Sequence, residues 1–449
     1  MKHLVNSRKH TDGLGETAPA YGDRMLAGDT NDAHIVVVGA GMVAHRFIES
    51  LLSRADSGFR VTLIGEEQRH PYDRVALTSF FAGASDDDLT LDRRIVEDER
   101  VTFLHDDPVV RIERAEHRVV TRAGRVIGYD RLVLATGSYA ARLAVDGFDL
   151  EGCFVYRTLD DVAALRTFVE RRSAQLGRPL TGTVVGGGLL GLEAAGALRG
   201  LDVECTVIQS SDRLMSAQLD LPAGDALRRL IEAKGIGVRT GSITTRLDPD
   251  RTGQVAGLEF RDGDYAQTDV VVFTVGVRPR DELARTAGLA VEPRGGVTID
   301  DGCLTSDPAI YAIGEVASFE GQCVGLVAPG YAMAEVAATR LLGGEAEFGG
   351  FDLSTKLKLS GVDVASFGDA FAQTPGALDV VYSDPVAGVY KKLVLSDDAK
   401  TLLGGILVGD ASSYGALRPL IGHGLGGDPA AYLLPEGGGG AISAELPDE

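Results

Sequence analysis

The sequence predicts an α/β fold with two doubly wound parallel sheets, because one pattern of strand, glycine turn and helix occurs twice. The first copy joins the apolar run 35–38 to a glycine turn and to a helix over 43–53. The second copy starts at residue 182 and repeats the same order. Several strand-like runs after residue 350 predict an additional α+β domain at the C-terminal end.

The first glycine turn has the residue types that let a phosphate approach the backbone. Gly39 permits a tight turn, Gly41 leaves no side chain in front of a pyrophosphate, and Ala44 stands where a third glycine usually lets helix and strand pack closely. The helix directs its positive end at the phosphates. Glu66, after the strand 60–65, can accept the ribose hydroxyls of an adenosine. The residues assigned to this turn are Gly39, Gly41, Met42, Val43 and Ala44.

The second copy carries a complete glycine fingerprint but ends its second strand differently. Its turn and first helical residues are Gly186, Gly188, Leu189, Leu190 and Gly191. Gln209 stands where an acid would favour a free ribose hydroxyl and repel a phosphate. Arg213 is either a partner for a 2′-phosphate or a solvated side chain, so NADPH is as credible as NADH. Two copies in matching contexts indicate two dinucleotide sites or an internal duplication.

Three further strands end in small residues or in an acid. The turns are Ala135-Thr136-Gly137, Gly276 and Gly314-Glu315. Each is either a close approach of backbone to a cofactor or an ordinary strand exit, and Glu315 can hydrogen-bond a sugar-like polyol. Arg74 lies where a helix is expected to begin near Val75, and is either a surface residue or a cation beside a dinucleotide.

Composition and charge narrow the class of protein. The chain has 449 residues and a formal net charge of −21, which opposes binding to nucleic acid or to an anionic membrane. This charge suits a basic protein partner or simply confers solubility. No apolar run is long enough to span a bilayer, and the polar start at 1–32 predicts a flexible tail without a secretory signal.

The four cysteines are widely scattered, which excludes a close-spaced metal motif, a disulfide scaffold and a pair of redox cysteines after the first glycine turn. They are Cys153, Cys205, Cys303 and Cys323. Each is expected to be a small buried apolar residue, with Cys323 structural, and no metal ligand is assigned. The expected compartment is the reducing cytoplasm.

The predicted C-terminal domain shows no catalytic constellation. Its expected strands are 355–360, 362–367, 389–395 and 401–408, with a short helix over 414–421. Its lysines at 356, 358, 391 and 392 are read as a solvated strand face, or as a guide for a partner. The run that follows residue 430 reads as a linker or tail.

Together these motifs resemble the FAD/NAD(P)-dependent pyridine nucleotide-disulfide oxidoreductases. In that family the first fingerprint holds FAD, the second holds NAD(P)H, and the Rossmann-like NAD(P) domain is inserted in the FAD domain. The resemblance implies a tail at 1–32, FAD-domain parts at 33–147 and 276–345, an NAD(P) domain at 148–275, a C-terminal α+β domain at 350–430 and a linker or tail at 431–449.

The resemblance also implies roles for individual residues. Glu66 binds the adenosine ribose of FAD, Arg74 lies against the flavin, and Glu315 bonds the ribityl chain in a position usually held by Asp. Val110, Ala135, Thr136 and Gly137 approach FAD, and Gly276 and Glu193 belong to the nicotinamide side. Related rubredoxin and ferredoxin reductases carry a lysine after a leucine–serine pair. In this sequence the corresponding segment, residues 77–80, contains no lysine. No catalytic residue is assigned. Glu193 is the nearest candidate for one, and the alternative is that its side chain only caps or packs on the helix that carries it.

A narrower likeness points to the N-terminal half of the large subunit of assimilatory NAD(P)H nitrite reductase. It rests on residues 41–47, 72–75, 214–215, 218–220, 327–331 and 355–364. The clustered cysteines of that enzyme's metal centres are absent from this sequence. The likeness therefore implies a flavin module or electron-transfer subunit that serves a protein redox acceptor, such as a sirohaem and iron–sulfur nitrite reductase or a nitrate reductase.

Other readings stay open at this point. An enzyme of the same fold can use ferredoxin, rubredoxin, oxygen or peroxide as its acceptor, with peroxide disfavoured because no cysteine nucleophile is placed near the flavin. A flavin-bearing redox sensor or interaction protein belongs to a different class. A second copy of this chain, forming a homodimer, is also among the expected partners.

Overall fold

The computed structural model describes residues 32–357, 359 and 361–434. Almost all of the two predicted tails therefore lies outside the described residues. At the second tail, however, the described chain is folded beyond residue 430, because Tyr432 and Leu433 are buried and the Tyr432 hydroxyl donates to the Leu425 carbonyl at 2.7 Å. The described start of this predicted tail therefore packs against the C-terminal core, while the boundary at 431 stays a prediction. Among the described helices, none is long and apolar enough to cross a bilayer.

A five-stranded parallel sheet contains the first glycine turn. Its apolar strand β1 (Ala33–Val38) lies between β2 (Phe59–Ile64) and β7 (Arg131–Leu134). With β3 (Val101–Leu104) and β19 (Ile310–Ala312) at the edges, the sheet order is β19-β7-β1-β2-β3. The elements in chain order are β1 (Ala33–Val38), α1 (Met42–Arg54), β2 (Phe59–Ile64), α2 (Asp86–Leu89), α3 (Arg93–Val96), β3 (Val101–Leu104), β4 (Val109–Glu113), β5 (Arg118–Thr121), β6 (Val126–Gly128), β7 (Arg131–Leu134) and β8 (Ser138–Ala140).

A second five-stranded parallel sheet repeats this plan, with β10 between β11 and β16 in the order β12-β11-β10-β16-β9. Its elements are β9 (Cys153–Val155), α4 (Leu159–Leu176), β10 (Thr181–Val185), α5 (Leu189–Gly200), β11 (Glu204–Ile208), α6 (Leu221–Ala233), β12 (Gly237–Arg239), β13 (Thr244–Pro249), β14 (Val255–Phe260), β15 (Tyr265–Gln267) and β16 (Val270–Phe273).

The chain then returns to the first sheet. The strands β8 and β17 (Val277–Pro279), which leave and re-enter the first unit, pair antiparallel, and β19 adds to β7 at the sheet edge. This is the inserted topology that the family resemblance implies, while the residue boundaries of the domains stay a prediction. The returning elements are β17 (Val277–Pro279), α7 (Glu282–Thr286), β18 (Val297–Ile299), β19 (Ile310–Ala312), β20 (Ala317–Phe319) and α8 (Val327–Leu341).

The C-terminal unit is an antiparallel sheet in the order β21-β22-β25-β24-β23. Its elements are β21 (Thr355–Lys356), β22 (Val364–Gly368), β23 (Leu378–Asp384), β24 (Val389–Leu395), β25 (Leu402–Val408) and α9 (Tyr414–Leu417). The predicted strand 355–360 shrinks to two residues, and the predicted helix 414–421 is one α-turn continued by a 3₁₀ turn at Arg418–Leu420. β23 was not predicted, because this half-exposed edge strand lacks a clear apolar face.

The prediction of a solvated lysine face on β24 is wrong. Lys391 and Lys392 are 1% and 4% exposed, because β24 is an inner strand covered on both sides. One face of the sheet packs with Leu393 and Phe367 in the C-terminal core. The other face packs, through Tyr390 among others, into the core of the second sheet. The C-terminal unit is therefore joined to the second sheet by a shared apolar core.

The segment after β2 also differs from its predicted form. The expected α-helix near Val75 is a 3₁₀ helix over Arg74–Ala82, and the Asp73 carboxylate caps it by accepting from the Val75 N–H at 2.8 Å. Leu77 of this helix packs into the core that the second sheet shares with the C-terminal unit.

Candidate functional site

The first glycine turn joins a close backbone contact to an open helix end. Gly39 has a φ of +105°, and a Cβ built on it would lie 2.2 Å from the Ala135 carbonyl oxygen, so only glycine fits this turn. Gly41 is the N-cap residue of α1 and provides no side-chain cap. A Cβ on Gly41 would meet no atom within 4 Å. The space in front of Gly41 is therefore open and the N-terminus of α1 has no side-chain cap, which fits an anionic phosphate.

The second glycine turn has the same geometry. Gly186 has a φ of +117°, and its Cβ would lie 2.4 Å from the Thr274 carbonyl oxygen. Gly188 is the uncapped N-cap of α5, and its Cβ would also meet no atom within 4 Å. A Cβ on Gly191 would lie 1.8 Å from the Gly186 carbonyl, so the third glycine lets α5 pack onto the turn. The two turns thus fit two dinucleotide pyrophosphates.

Late parts of the chain complete the surroundings of the first turn. A Cβ on Gly314 would lie 3.2 Å from Val43, and one on Gly330 only 2.6 Å from the same side chain. These contacts place the Gly314-Glu315 turn and the start of α8 beside the N-terminus of α1. The helix α8 begins at Val327, so Gly330 lies in its first turn.

Glu66 does not stand alone at the end of β2. It forms an ion pair with Arg280, whose guanidinium lies 4.1 Å from the centre of the Tyr139 ring. The Thr136 hydroxyl donates to the Arg280 carbonyl at 2.8 Å, and the Arg280 N–H donates to Gly137. Arg280 was missed by the sequence analysis, because it follows the second sheet and reaches the first site only through the β8–β17 pairing.

Glu315 belongs to a compact polar cluster. It accepts from the Ser138 hydroxyl at 2.7 Å and forms an ion pair with Arg157. The Nε atom of Arg157 is buried without a hydrogen-bond partner among the described residues. Such an unpaired donor, beside an acid predicted to bind a polyol, fits a site that a polar ligand completes. Arg157 was also missed, since in sequence it only precedes a helix cap.

Arg74 is neither a free surface residue nor an isolated cation. Its guanidinium forms an ion pair with Glu67, lies 4.9 Å from the centre of the Tyr72 ring, and donates to the Arg157 carbonyl at 3.2 Å. The structure thus brings Arg74 to the segment that carries the Glu315 cluster. Val110, in contrast, projects an exposed side chain from β4.

The predicted coenzyme-selecting residues are held within their own loop. The Gln209 side-chain oxygen accepts from the Gly187 N–H at 2.8 Å. The Arg213 guanidinium donates to the Leu219 carbonyl at 2.7 Å and pairs with Asp212 at 2.8 Å. A role for Arg213 at a 2′-phosphate stays a prediction. Gly276 has a φ of +102°, and a Cβ there would meet no atom within 4 Å.

Glu193 on α5 lies near a buried tyrosine of the neighbouring segment. Burial raises the pKa of Tyr156 well above its usual range, and the charge of Glu193 raises it further. The Tyr156 hydroxyl contacts the Thr78 hydroxyl at 3.2 Å, within the segment that lacks the lysine of related reductases. A neutral hydroxyl pair therefore occupies this part of the site.

All four cysteines are unpaired, but they are not equally buried. Burial raises the pKa of the thiols of Cys153, Cys205 and Cys303 to about 12. Cys323 is exposed, which corrects the expectation that every cysteine is buried. Within the described part of the chain, no cluster of three or more His, Cys, Asp or Glu side chains could hold a metal ion.

Comparison with known proteins decides the family. The profile of the pyridine nucleotide-disulphide oxidoreductase family matches residues 33–339, which include both glycine turns. The chain belongs to the pyridine nucleotide-disulphide oxidoreductase family. The profile of the rubredoxin NAD⁺ reductase C-terminal domain matches residues 354–425. As a member of the family, the chain is an FAD-dependent NAD(P)H oxidoreductase.

Two relatives come from nitrogen metabolism. The large subunit of nitrite reductase (NADH) from Escherichia coli strain K12 is 46% identical over 405 residues, which cover 89% of this chain and 47% of that subunit. The assimilatory nitrate reductase electron transfer subunit of Bacillus subtilis strain 168 is 35% identical over 383 residues, which cover 84% of this chain and 47% of that protein. This family member thus spans about half the length of these relatives.

A solved structure shows the same architecture. The ferredoxin reductase for the CYP199A2 system from Rhodopseudomonas palustris superposes with a TM-score of 0.75 and 26% identity, over 85% of this chain and 93% of that one. The fold of this oxidoreductase, including the inserted second sheet and the C-terminal unit, is therefore confirmed.

Proposed function

We propose that this oxidoreductase passes electrons from NAD(P)H through FAD to a separate protein redox acceptor in nitrite or nitrate assimilation. The observation that carries the proposal is the pair of matched glycine turns, each with an uncapped helix N-terminus beside open space. The names of the Escherichia coli and Bacillus subtilis relatives support the pathway.

We assign the first turn to FAD. The turn leaves room for the pyrophosphate at Gly41, while Glu66 would bind the adenosine ribose and Glu315 the ribityl chain. Arg74 contributes from the flavin side. Thr136 and Gly137 support the site through their contacts with Arg280. The remaining residues of this assignment are Gly39, Met42, Val43, Ala44, Val110, Ala135 and Gly314.

We assign the second turn to NAD(P)H. Gly188 and the N-terminus of α5 would receive the pyrophosphate, and Gln209 fixes the orientation of Gly187. Glu193 would lie near the nicotinamide and Arg213 near the 2′-position of the coenzyme. The other residues of this assignment are Gly186, Leu189, Leu190, Gly191 and Gly276.

The chain's own residues bind and orient the two cofactors. When bound, the cofactors themselves supply the transfer of a hydride and then of electrons. The glycine turns would fix the two pyrophosphates. Holding the two cofactors at a fixed distance and orientation lowers the activation barrier for hydride transfer between them. The segment 77–80 carries no lysine, and its Thr78 hydroxyl contacts the hydroxyl of the buried Tyr156 at 3.2 Å, so the proposal assigns no positive side chain to this segment.

An acceptor screen tests the proposal. The FAD-loaded protein is reduced anaerobically with NADH or NADPH and is then mixed with a sirohaem and iron–sulfur nitrite reductase protein, a nitrate reductase, a ferredoxin, a rubredoxin or oxygen. Fast reoxidation by one of the first two proteins is the expected result. Fast reoxidation by oxygen alone would overturn the proposed acceptor.

A ferredoxin or rubredoxin as acceptor is the second candidate function. It is favoured by the match of residues 354–425 to the C-terminal domain of rubredoxin NAD⁺ reductase and by the likeness to the Rhodopseudomonas palustris ferredoxin reductase. In the screen, preferential reoxidation by either small redox protein would select this candidate.

We further propose a cytoplasmic location and a homodimeric state. The location is supported by the four unpaired cysteines, as expected in a reducing compartment. Light scattering of the purified protein measures the mass of the assembly and so tests the dimer.

A further inference from the structure

A largely buried ion pair connects the C-terminal sheet with the N-terminus of α6. The Nζ atom of Lys392 on β24 lies 2.8 Å from a carboxylate oxygen of Asp220. The Tyr390 hydroxyl donates to the same oxygen at 3.1 Å. Both β24 side chains are almost fully buried, whereas the Asp220 side chain is 21% exposed. A charge pair at such an interface is costly to break, because one charge stays buried without its partner.

Asp220 stands at the junction of a helix and a loop. Its second carboxylate oxygen accepts from the Ala223 N–H at 3.1 Å and so caps α6. The residue before it, Leu219, accepts through its carbonyl from the Nε of Arg213 at 2.7 Å. Asp220 therefore fixes the end of the stretch 210–219, which we call the 210–219 loop.

The 210–219 loop rests directly on the second glycine turn. The Met215 N–H donates to the Gly187 carbonyl at 2.8 Å, and a Cβ on Gly187 would lie only 2.6 Å from the Leu214 side chain. Met215 has a φ of +46°, a left-handed conformation that is costly for a residue other than glycine. Such a conformation persists only where the surroundings hold the loop in place.

We propose that Lys392 and Tyr390 are positioning residues that act through Asp220 on the affinity for NAD(P)H. They hold the 210–219 loop against Gly187, so that the second glycine turn keeps the shape that receives the coenzyme. The inference rests on the proposed function, in which this turn binds NAD(P)H. It gives the C-terminal unit an indirect part in coenzyme binding, through Asp220, in addition to any contact with an acceptor.

The neighbouring residue supplies a matched control. Lys391 is equally buried on the same strand and forms an ion pair with Asp410 at 2.5 Å. Because successive side chains of a strand point to opposite faces, Lys391 faces the C-terminal core rather than α6. Lys391→Met thus removes the same kind of buried pair from the same strand without touching Asp220.

The experiment measures the dissociation constants of NADP⁺ and NAD⁺ with the FAD-loaded full chain by isothermal titration calorimetry. Lys392→Met is expected to weaken the binding of at least one coenzyme about fivefold, and Lys391→Met less than about twofold. Melting temperatures and FAD content are recorded for both variants, since both lose a buried ion pair. If Lys392→Met does not fold, Tyr390→Phe tests the same contact with a smaller expected effect.

A double-variant cycle tests whether the effect passes through Asp220. Asp220→Asn removes the charge but keeps the helix cap, because Asn caps helices as well as Asp does. In the Asp220→Asn background, Lys392→Met is expected to cause no further loss of affinity. Equal effects of Lys392→Met and Lys391→Met, or additive effects in the cycle, would overturn the inference. Failure of the unaltered protein to bind either coenzyme would instead overturn the proposed function, and this inference with it.

Discussion

Arg157 forms an ion pair with Glu315, although the two residues lie 158 positions apart in the chain. Arg157 follows β9, the first strand of the second sheet, and Glu315 follows β19, the last strand added to the first sheet. The Ser138 hydroxyl joins the pair at 2.7 Å from Glu315. The pair therefore ties both sheets together beside the proposed flavin site.

Removal of this pair is expected to destabilise the protein. Arg157→Met should lower the free energy of unfolding by about 2 kcal/mol, because it leaves a mostly buried carboxylate without its charged donor. Arg93→Met is the control, since its pair with Asp87 is exposed and should contribute less than about 1 kcal/mol. Urea unfolding of the cofactor-free proteins measures both changes. Equal stability of the two variants would contradict the role given to Arg157.

A pair of equivalent substitutions can test the functions of the two glycine turns separately. Gly41→Val should abolish FAD binding and leave the apoprotein folded, because its side chain would enter open space in front of α1. Gly188→Val should keep FAD but abolish binding of NADP⁺ and NAD⁺, because it changes only the second turn. Absorbance of bound flavin and calorimetric titration measure the two properties. Stoichiometric FAD in Gly41→Val would show that this turn is not the flavin site.

Coenzyme preference is expected to depend on Arg213. If its guanidinium reaches the 2′-phosphate of bound NADPH, Arg213→Ala should raise the KM for NADPH about tenfold more than the KM for NADH, as expected when one charged contact is lost. In the structure this guanidinium also holds the Leu219 carbonyl, so a purely structural role predicts equal effects on both coenzymes. Steady-state kinetics with each coenzyme distinguishes these outcomes.

Acid stability should depend on Asp410. Partial burial disfavours its charged form, but hydrogen bonds from Lys391 and Ser412 outweigh burial and lower its pKa from 3.8 to about 2. Because the pKa is lower in the folded state, Asp410 stabilises the protein above pH 3.8, and this contribution is lost as the pH falls towards 2. Asp410→Asn should therefore lose less stability than the unaltered protein as the pH falls from 3.8 towards 2. Identical acid-unfolding curves for the variant and the unaltered protein would contradict the pairing of Asp410 with Lys391.

The thiols should differ sharply in reactivity. In the folded protein Cys323 is the exposed cysteine of the four. Burial raises the pKa of its thiol too, but it raises the pKa of the other three thiols to about 12, which keeps them protonated at mildly alkaline pH. A thiol-specific chromogenic reagent should thus detect one fast cysteine in the native protein, and Cys323→Ser should remove that signal. Rapid reaction of two or more thiols would show that the buried cysteines are accessible.

The sequence predicts the local parts of this molecule well. Both glycine turns are recognisable because the strand, the turn and the helix N-terminus are contiguous, and the structure shows the same geometry at Gly39 and Gly186. The family resemblance also implied the inserted topology, which the pairing of β8 with β17 shows. The glycine turns depend on short-range pattern and backbone sterics, whereas the inserted topology followed only from the resemblance.

Features that depend on distant partners could not be predicted in this way. Arg157 and Arg280 join the first site only because the chain crosses twice between the sheets. Lys391 and Lys392 read as solvated because their carboxylate partners come from other parts of the chain. Lysine is rarely buried without such a partner, so the composition of β24 alone favours solvent-exposed lysines.

Anaerobic stopped-flow mixing of the purified yellow protein with NADH or NADPH tests the central claim most directly. At least one coenzyme is expected to bleach the flavin absorbance within seconds, and Gly188→Val, which retains FAD, is expected to lose this reaction. Bleaching only over many minutes with both coenzymes would contradict an NAD(P)H reductase and would favour a flavin-bearing sensor.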